Sequence, residues 1–386
     1  MKEYMQDYML LEIQQQPISL KSLFDTAKES IFETTNKIRD KFDIERIILT
    51  GSGDSLCAAL TTEYAFSSQN YLTIAIPPME LSRYRYKLTH LLNEKSLLVP
   101  ISVSGYTPRV IETIHAAKSR NCPVLAITNN PESPVAQLAD EFLYAKSSGV
   151  EAIKNSSYEG EESSQYVGYE HDVPQTKSYT AVQLTLQLMA ESFQKDPDYS
   201  KLEEIPDIVK KIIENPLIKE LGLKHSKASR HIFSASGPNY GNALFGEFKM
   251  YEFSLLGFSK EIEEYCHTAY FVTEKETPVM FLAPEGESLQ RVAEIVPVLK
   301  DKIEAKPIVL SNKEPDFNND DWIEIPFNGE EKYSVIPYGV VAPIFSFWVA
   351  KEKGLNVNTF RGGVEQEKYV AGSLHTIRKS KIKTDF

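Results

Sequence analysis

Leu97-Leu-Val-Pro-Ile-Ser-Val-Ser-Gly-Tyr-Thr-Pro-Arg-Val-Ile-Glu112 decides how the rest of the chain is read. Its first five residues are an apolar run, as a buried strand requires. The run stops at Ser102-Val-Ser-Gly-Tyr-Thr107, and from Pro108 onward Val110, Ile111 and Ile114 fall on one helical face. Thr107 suits the N-cap, and Pro108 suits the first helical position, where a missing N–H costs nothing. The loop therefore gathers three hydroxyls and several backbone N–H groups at the positive end of a helix. Two readings are open: the hydroxyls merely end a strand and cap a helix, or they hold an anion, a phosphate above all.

Working outward, the same strand–turn–helix unit recurs on both sides. Arg46-Ile-Ile-Leu-Thr50 reads as a buried strand entering Gly51-Ser-Gly-Asp-Ser55, followed by a helix through Ala58, Ala59 and Tyr64. Further strands are predicted at Tyr71–Ile76 and Pro123–Thr128, with a turn at Asn129–Pro134 and a short edge strand at Phe142–Ala145. Strands that are apolar throughout and alternate with helices imply a parallel sheet covered on both faces. Ahead of them, Ser19–Arg39 is an amphipathic helix with Leu23, Phe24, Ala27, Ile31 and Ile38 inward, and Pro17 is predicted to break the pattern. Residues 146–175 are polar, acidic and rich in Gly and Ser, either padding or a lid over a site. A helix from Thr176 to Phe193 closes the first half.

After Pro206 the pattern restarts. Arg230–Ala235 leads into Ser236-Gly-Pro-Asn-Tyr-Gly-Asn242 and a long helix over residues 243–256. Strands follow at Pro278–Ala283, Pro307–Ser311 and Trp322–Ile325, then a last helix over about residues 339–352. Gly51 and Gly237 mark corresponding turns, so an internal duplication is the simplest account. The predicted division is an N-terminal helical segment, 1–40; a first α/β domain, 41–200; a second, 201–353; and a tail, 354–386.

Composition narrows the classes. With 42% hydrophobic and 25% charged residues, the chain of 386 residues is of the soluble globular type, with room for two cores. No apolar window is long enough to span a membrane, and the N-terminus lacks the apolar segment of a signal peptide. Three widely spaced cysteines, Cys57, Cys122 and Cys266, suggest reduced thiols and a cytoplasmic setting. A net charge of −12 argues against nucleic acid as a general partner, so a phosphorylated ligand must be met by local groups. The seven histidines show no paired metal spacing, and the Gly51-Ser-Gly53 turn lacks the third glycine of a dinucleotide fingerprint.

Thr50-Gly-Ser-Gly-Asp-Ser55, Ser102-Val-Ser-Gly-Tyr-Thr107, Thr128-Asn-Asn130 and Thr176-Lys-Ser-Tyr-Thr180 occur in the order and spacing of the sugar isomerase (SIS) fold. Over roughly residues 40–350 the chain resembles the tandem-SIS isomerase half of glucosamine-6-phosphate synthase and the fructosamine-6-phosphate deglycases. The resemblance implies two tandem SIS domains, each a flavodoxin-like or Rossmann-like parallel sheet. It implies a phosphorylated sugar held by Ser102, Ser104, Gly105 and Thr107, with Ser52 and Gly53 from the first turn and Thr176 in the segment that closes on the sugar. It also implies chemistry without metal or organic cofactor, in a homodimer with shared active sites.

In the second half, Ala243–Glu252 matches the family's helix, and Glu264-Tyr-Cys-His267 fits the segment ending in the ring-opening histidine, His267. Phe245 stands where the family has its isomerisation glutamate. Glu247 lies two residues on, about 200° round a helix, and should point elsewhere. Glu252 returns to nearly the face of Phe245 and is the candidate substitute base, but the family has a glutamate there in any case, and a structural role is the leading reading. Lys368 in the tail is the candidate for the family's carbonyl-seeking lysine. No glutaminase domain and no N-terminal cysteine nucleophile are expected. The expected function is a ketose/aldose isomerase or an amino-sugar-phosphate deaminase or deglycase acting on a hexose 6-phosphate. A non-catalytic phosphosugar-binding protein is the alternative.

Overall fold

The computed structural model describes residues 7–88, 90–147, 174–319 and 321–386. The chain divides into two compact units. One takes the described residues of 18–147, 177–204 and 367–386; the other takes those up to 17, 174–176 and 205–366.

The first unit is built on β1 (Arg46–Gly51), β2 (Leu72–Ala75), β3 (Ser96–Ile101), β4 (Leu125–Thr128) and β5 (Glu141–Tyr144), all parallel and ordered β2-β1-β3-β4-β5. The three inner strands are buried almost end to end, while β2 and β5 are partly open, as edges of a helix-flanked sheet should be. Pro100 lies inside β3, where it cannot donate to a neighbour. The β3–β4 pairing accordingly shrinks to Ile101 opposite Ile127 and an isolated bridge, Leu98 to Val124. Helix Pro108–Lys118 packs Val110 and Ile114 against Ile48, Leu98 and Ala126 of the sheet.

The second unit carries β6 (His231–Ala235), β7 (Gly257–Lys260), β8 (Pro278–Leu282), β9 (Lys306–Ser311) and β10 (Asp321–Glu324), again all parallel. Its order, β7-β6-β8-β9-β10, is the order of the first sheet repeated. The α/β architecture expected from the sequence is therefore present in both halves.

Three differences stand out. β7 was not anticipated: Gly257-Phe-Ser-Lys260 has a single large apolar residue, and it finds its place by pairing with β6 at the sheet edge. Pro17 does not end a helix. Tyr8–Lys41 runs through it, with Ile13 and Leu20 buried on either side, so burial outweighs the lost backbone bond. The last helix of the second half is two, Val335–Gly339 and Val341–Glu352. The polar loop read as lid or padding falls mainly at 148–173, outside the described residues.

Candidate functional site

The loop after β3 is held from both ends. The Ser102 amide donates to the Ile127 carbonyl (3.0 Å), and the Asn129 amide donates to Val103 (2.9 Å), tying the loop to the end of β4. Gly105 then turns the chain with φ +74°; its amide donates to the Ser102 carbonyl (3.0 Å) and to Ser102 Oγ (3.1 Å). A Cβ at Gly105 would lie 1.9 Å from Ser133 Oγ and 2.2 Å from Ser133 Cβ, so only glycine fits. Thr128 braces the outside, its hydroxyl donating to the Val103 carbonyl at 3.3 Å.

Thr107 occupies the N-cap position of helix Pro108–Lys118, yet its hydroxyl makes no bond to the helix amides. It lies 3.0 Å from Ser102 Oγ instead. The first-turn amides are thus left without a side-chain cap, which is the state in which a helix N-terminus attracts an anion. Gly51 is the register partner of Ile101, so the turn after β1 begins beside this loop. There Ser52 and Gly53 are exposed, and Gly53 (φ +58°) is the N-cap of helix Asp54–Ser67, again with no side-chain cap. Between β1 and β3 the strand order reverses. That is the place where open α/β sheets bind ligands.

Sequence reasoning missed what lies on the outer side of the same helix. The C-terminal helix Gln366–Arg378 ends with Arg378 Nη1 donating to Ser104 Oγ (3.1 Å). Beyond it Arg109 donates to Ser380 Oγ (2.8 Å) and to the Lys381 carbonyl, and the Lys383 amide donates to Glu112 Oε2 (3.0 Å). Glu112 is wholly buried and also receives Arg83, Arg109 and the Ser82 hydroxyl. Burial pushes its pKa up, but the bonds from Arg83, Lys383 N–H and Ser82, with the Arg109 charge, outweigh burial and hold the carboxyl below its ordinary range. The stabilisation this gives is present above the unfolded value, about 4.3, and is lost as pH falls through the lower folded value. Glu112→Gln is therefore expected to cost about 2 kcal/mol at pH 7. The difference from the parent should narrow as pH falls below the ordinary carboxylate range, as read by thermal melts across pH.

The remaining candidates are placed as follows. Lys368 is exposed in the first turn of the C-terminal helix, its Nζ 5.6 Å from the Tyr369 ring centroid. At 1.5 Å per residue it stands roughly 15 Å along the axis from Arg378, so the helix does not bring it to the Ser104 loop. Thr176 is buried in the second unit; its amide donates to Glu12 Oε2 (3.4 Å), and its hydroxyl has no hydrogen bond among the described residues.

In the second unit, helix Tyr240–Glu252 carries Lys249, fully buried, with Nζ 2.8 Å from each Glu252 carboxylate oxygen and donating to the Gln175 carbonyl (3.0 Å). The ammonium also lies 4.7 Å from the centroid of Phe245. Where the resemblance leads one to expect a second carboxylate, the charge meets an aromatic face. Glu247 points away, as its helical position requires, and receives the Ser259 amide of β7 at 2.7 Å. His267 closes the helix Ile262–His267; its side chain is 69% exposed and its Nε2 lies 3.3 Å from Glu263 Oε1.

Residues 42–156 match the family model of the SIS domain. Among individual relatives, the chain is 29% identical over 296 residues to glutamine–fructose-6-phosphate aminotransferase (isomerizing) of Pyrococcus horikoshii, covering 74% of this chain and 45% of that protein. In fold it is similar to tagatose-6-phosphate ketose/aldose isomerase from Escherichia coli, with a TM-score of 0.74 at 17% identity over 90% of this chain and 94% of that one. It is also similar to the C-terminal domain of glucosamine-fructose-6-phosphate aminotransferase from Francisella tularensis, with a TM-score of 0.70 at 20% identity over 91% and 97%. The chain spans about half the length of the curated relatives it matches, 45% and 57% of the first two. No helix among the described residues is long and apolar enough to cross a membrane.

Proposed function

We propose that this chain binds a hexose 6-phosphate through the Ser102–Thr107 loop, with Ser52 and Gly53, and acts on it as a ketose/aldose isomerase or an amino-sugar-phosphate deaminase or deglycase. The observation that carries the reading is the Thr107 hydroxyl turned away from its own helix, which leaves uncapped amides beside Ser102 and Ser104 where the strand order reverses. Relatives named for fructose 6-phosphate and neighbours named for tagatose 6-phosphate support the substrate class.

The chemistry needs ring opening and a proton moved between C1 and C2. We assign ring opening to His267, whose imidazole can give and take a proton and whose exposure leaves it accessible to a ligand. A base takes the proton from the carbon beside the carbonyl while the carbonyl oxygen takes a proton from solvent, giving an enediol; the other hydroxyl then loses its proton to solvent as the former carbonyl carbon is protonated, which completes the exchange of aldose and ketose. We assign that base to Glu252. Lys368 is the proposed partner of the sugar carbonyl, as the resemblance implies. The homodimer with shared sites belongs to the same proposal and is checked by mass in solution.

Fructose 6-phosphate and glucosamine 6-phosphate in deuterated solvent test the reading: turnover with deuterium at C2 of an aldose product or at C1 of a ketose product is expected, and a chain that neither turns over nor is stabilised by these ligands overturns it. His267→Ala should lower turnover by about 100-fold or more and leave the melting temperature within about 2 °C, because an exposed side chain is lost. Retained turnover removes His267 from the mechanism. Phe245 favours a second reading, a phosphosugar-binding protein without catalysis, because it puts a ring where a carboxylate is expected beside Lys249. Ligand stabilisation without deuterium exchange is the result that selects it.

A further inference from the structure

We infer that Arg378 is a phosphate-binding residue of the loop after β3, delivered there by a C-terminal strap, residues 379–386, latched along the outer side of helix Pro108–Lys118. The inference rests on the phosphosugar reading and adds to it the cation that reading lacks. The loop offers hydroxyls and amides, but no Lys or Arg occurs within Ser102–Thr107, and the overall charge of −12 gives no help to an incoming dianion.

Arg378 supplies that charge. Its Nη1 donates to Ser104 Oγ at 3.1 Å, and Ser104 Oγ in turn accepts from the Tyr106 amide (3.3 Å). A guanidinium is a planar fork of donors matched to phosphate oxygens, so a phosphate seated against Ser104 lies within its reach. The strap explains how a residue so far along the chain is held there. Arg109, one residue past Pro108, grips Ser380 and Lys381; Glu112, one turn on, takes the Lys383 amide. Phe386 finishes the latch, edge-on to Tyr86 with centroids 5.0 Å apart and packed against the core under the sheet. Lys383 Nζ meets the Tyr86 hydroxyl at 3.2 Å. Every one of these contacts lies within the first unit, and the latch ends where the helix N-terminus begins.

The inference predicts that the tail sets selectivity for the phosphorylated ligand. Calorimetric titration of the full chain with inorganic phosphate and with fructose 6-phosphate tests it, fructose serving as the uncharged control. Arg378→Ala should weaken both phosphate probes by about 10- to 100-fold, and Arg378→Lys should recover part of the loss, since the charge returns without the fork. Arg378→Gln keeps the side-chain stem should the alanine variant fold poorly. Phe386→Ala, which touches no loop atom, should weaken binding in the same direction by loosening the latch. If the parent binds fructose 6-phosphate and Arg378→Ala and Arg378→Gln bind it equally well, the inference fails and the phosphosugar reading stands. If the parent binds neither phosphate probe, both fall together. A merely structural arginine would leave phosphate affinity unchanged in any variant whose melting temperature matches the parent.

Discussion

Gly105→Ala is expected to abolish binding of hexose phosphates and to destabilise the first unit by about 3 kcal/mol, the sum of a left-handed backbone forced on alanine and a methyl driven into a packed neighbour. Both costs come from one residue. At φ +74° a Cβ is disfavoured wherever it points, and here it points at Ser133, whose Oγ and Cβ would lie 1.9 and 2.2 Å away. Ser133 has little freedom to retreat: it is buried, its hydroxyl donates to the Asn130 carbonyl at 2.7 Å, and it caps helix Pro134–Leu138. Relief must come from the Ser102–Thr107 loop, which would pull the Gly105 amide from Ser102 and turn the phosphate donors away from one another. Chemical denaturation and calorimetry with fructose 6-phosphate check the two halves of the prediction. A Gly105→Ala variant with parental stability would show that the loop is plastic, and parental affinity would show that the phosphate is held elsewhere.

The sequence makes this loop legible because its signals are local. An apolar strand, a glycine, a threonine and Pro108 fall in fixed succession, although the Thr107 hydroxyl meets Ser102 and not the helix amides. The two sheets were legible for a related reason: inner parallel strands are buried on both faces, and β1, β3, β4, β8 and β9 each carry a run of apolar residues. β7 was not, since an edge strand of four residues is defined by its neighbour more than by its composition. Arg378 was illegible for a different reason. A basic residue near the end of a chain looks like any solvated charge, and its position at Ser104 depends on Glu112, Arg109 and Tyr86, none of which is near it in sequence. The matched helix of the second half led the reading to Glu252, but not to the fact that Glu252 faces a fully buried ammonium.

That pairing makes position 252 the sharpest place to separate catalysis from architecture. Lys249 is buried, so its charge needs compensation from the Glu252 carboxylate, the Gln175 carbonyl and the Phe245 ring. Glu252→Ala removes the only formal negative charge among these and should destabilise the second unit by about 3 kcal/mol. By itself that result says nothing about chemistry, because any counter-ion would give it. Glu252→Gln is the informative change: the amide oxygen still accepts from Lys249 Nζ, so part of the fold energy is retained although the charge is lost, but an amide cannot take a proton from carbon. If Glu252 is the base, Glu252→Gln should lower deuterium exchange at C1 of fructose 6-phosphate by about 1,000-fold while the dissociation constant for the ligand changes little. If Glu252 serves only Lys249, Glu252→Gln should exchange at the parental rate and melt a few degrees lower. Catalysis would then have to be sought at another residue, and Phe245, whose ring faces the ammonium, would be the sign that this chain keeps the family's fold and ligand without its proton transfer.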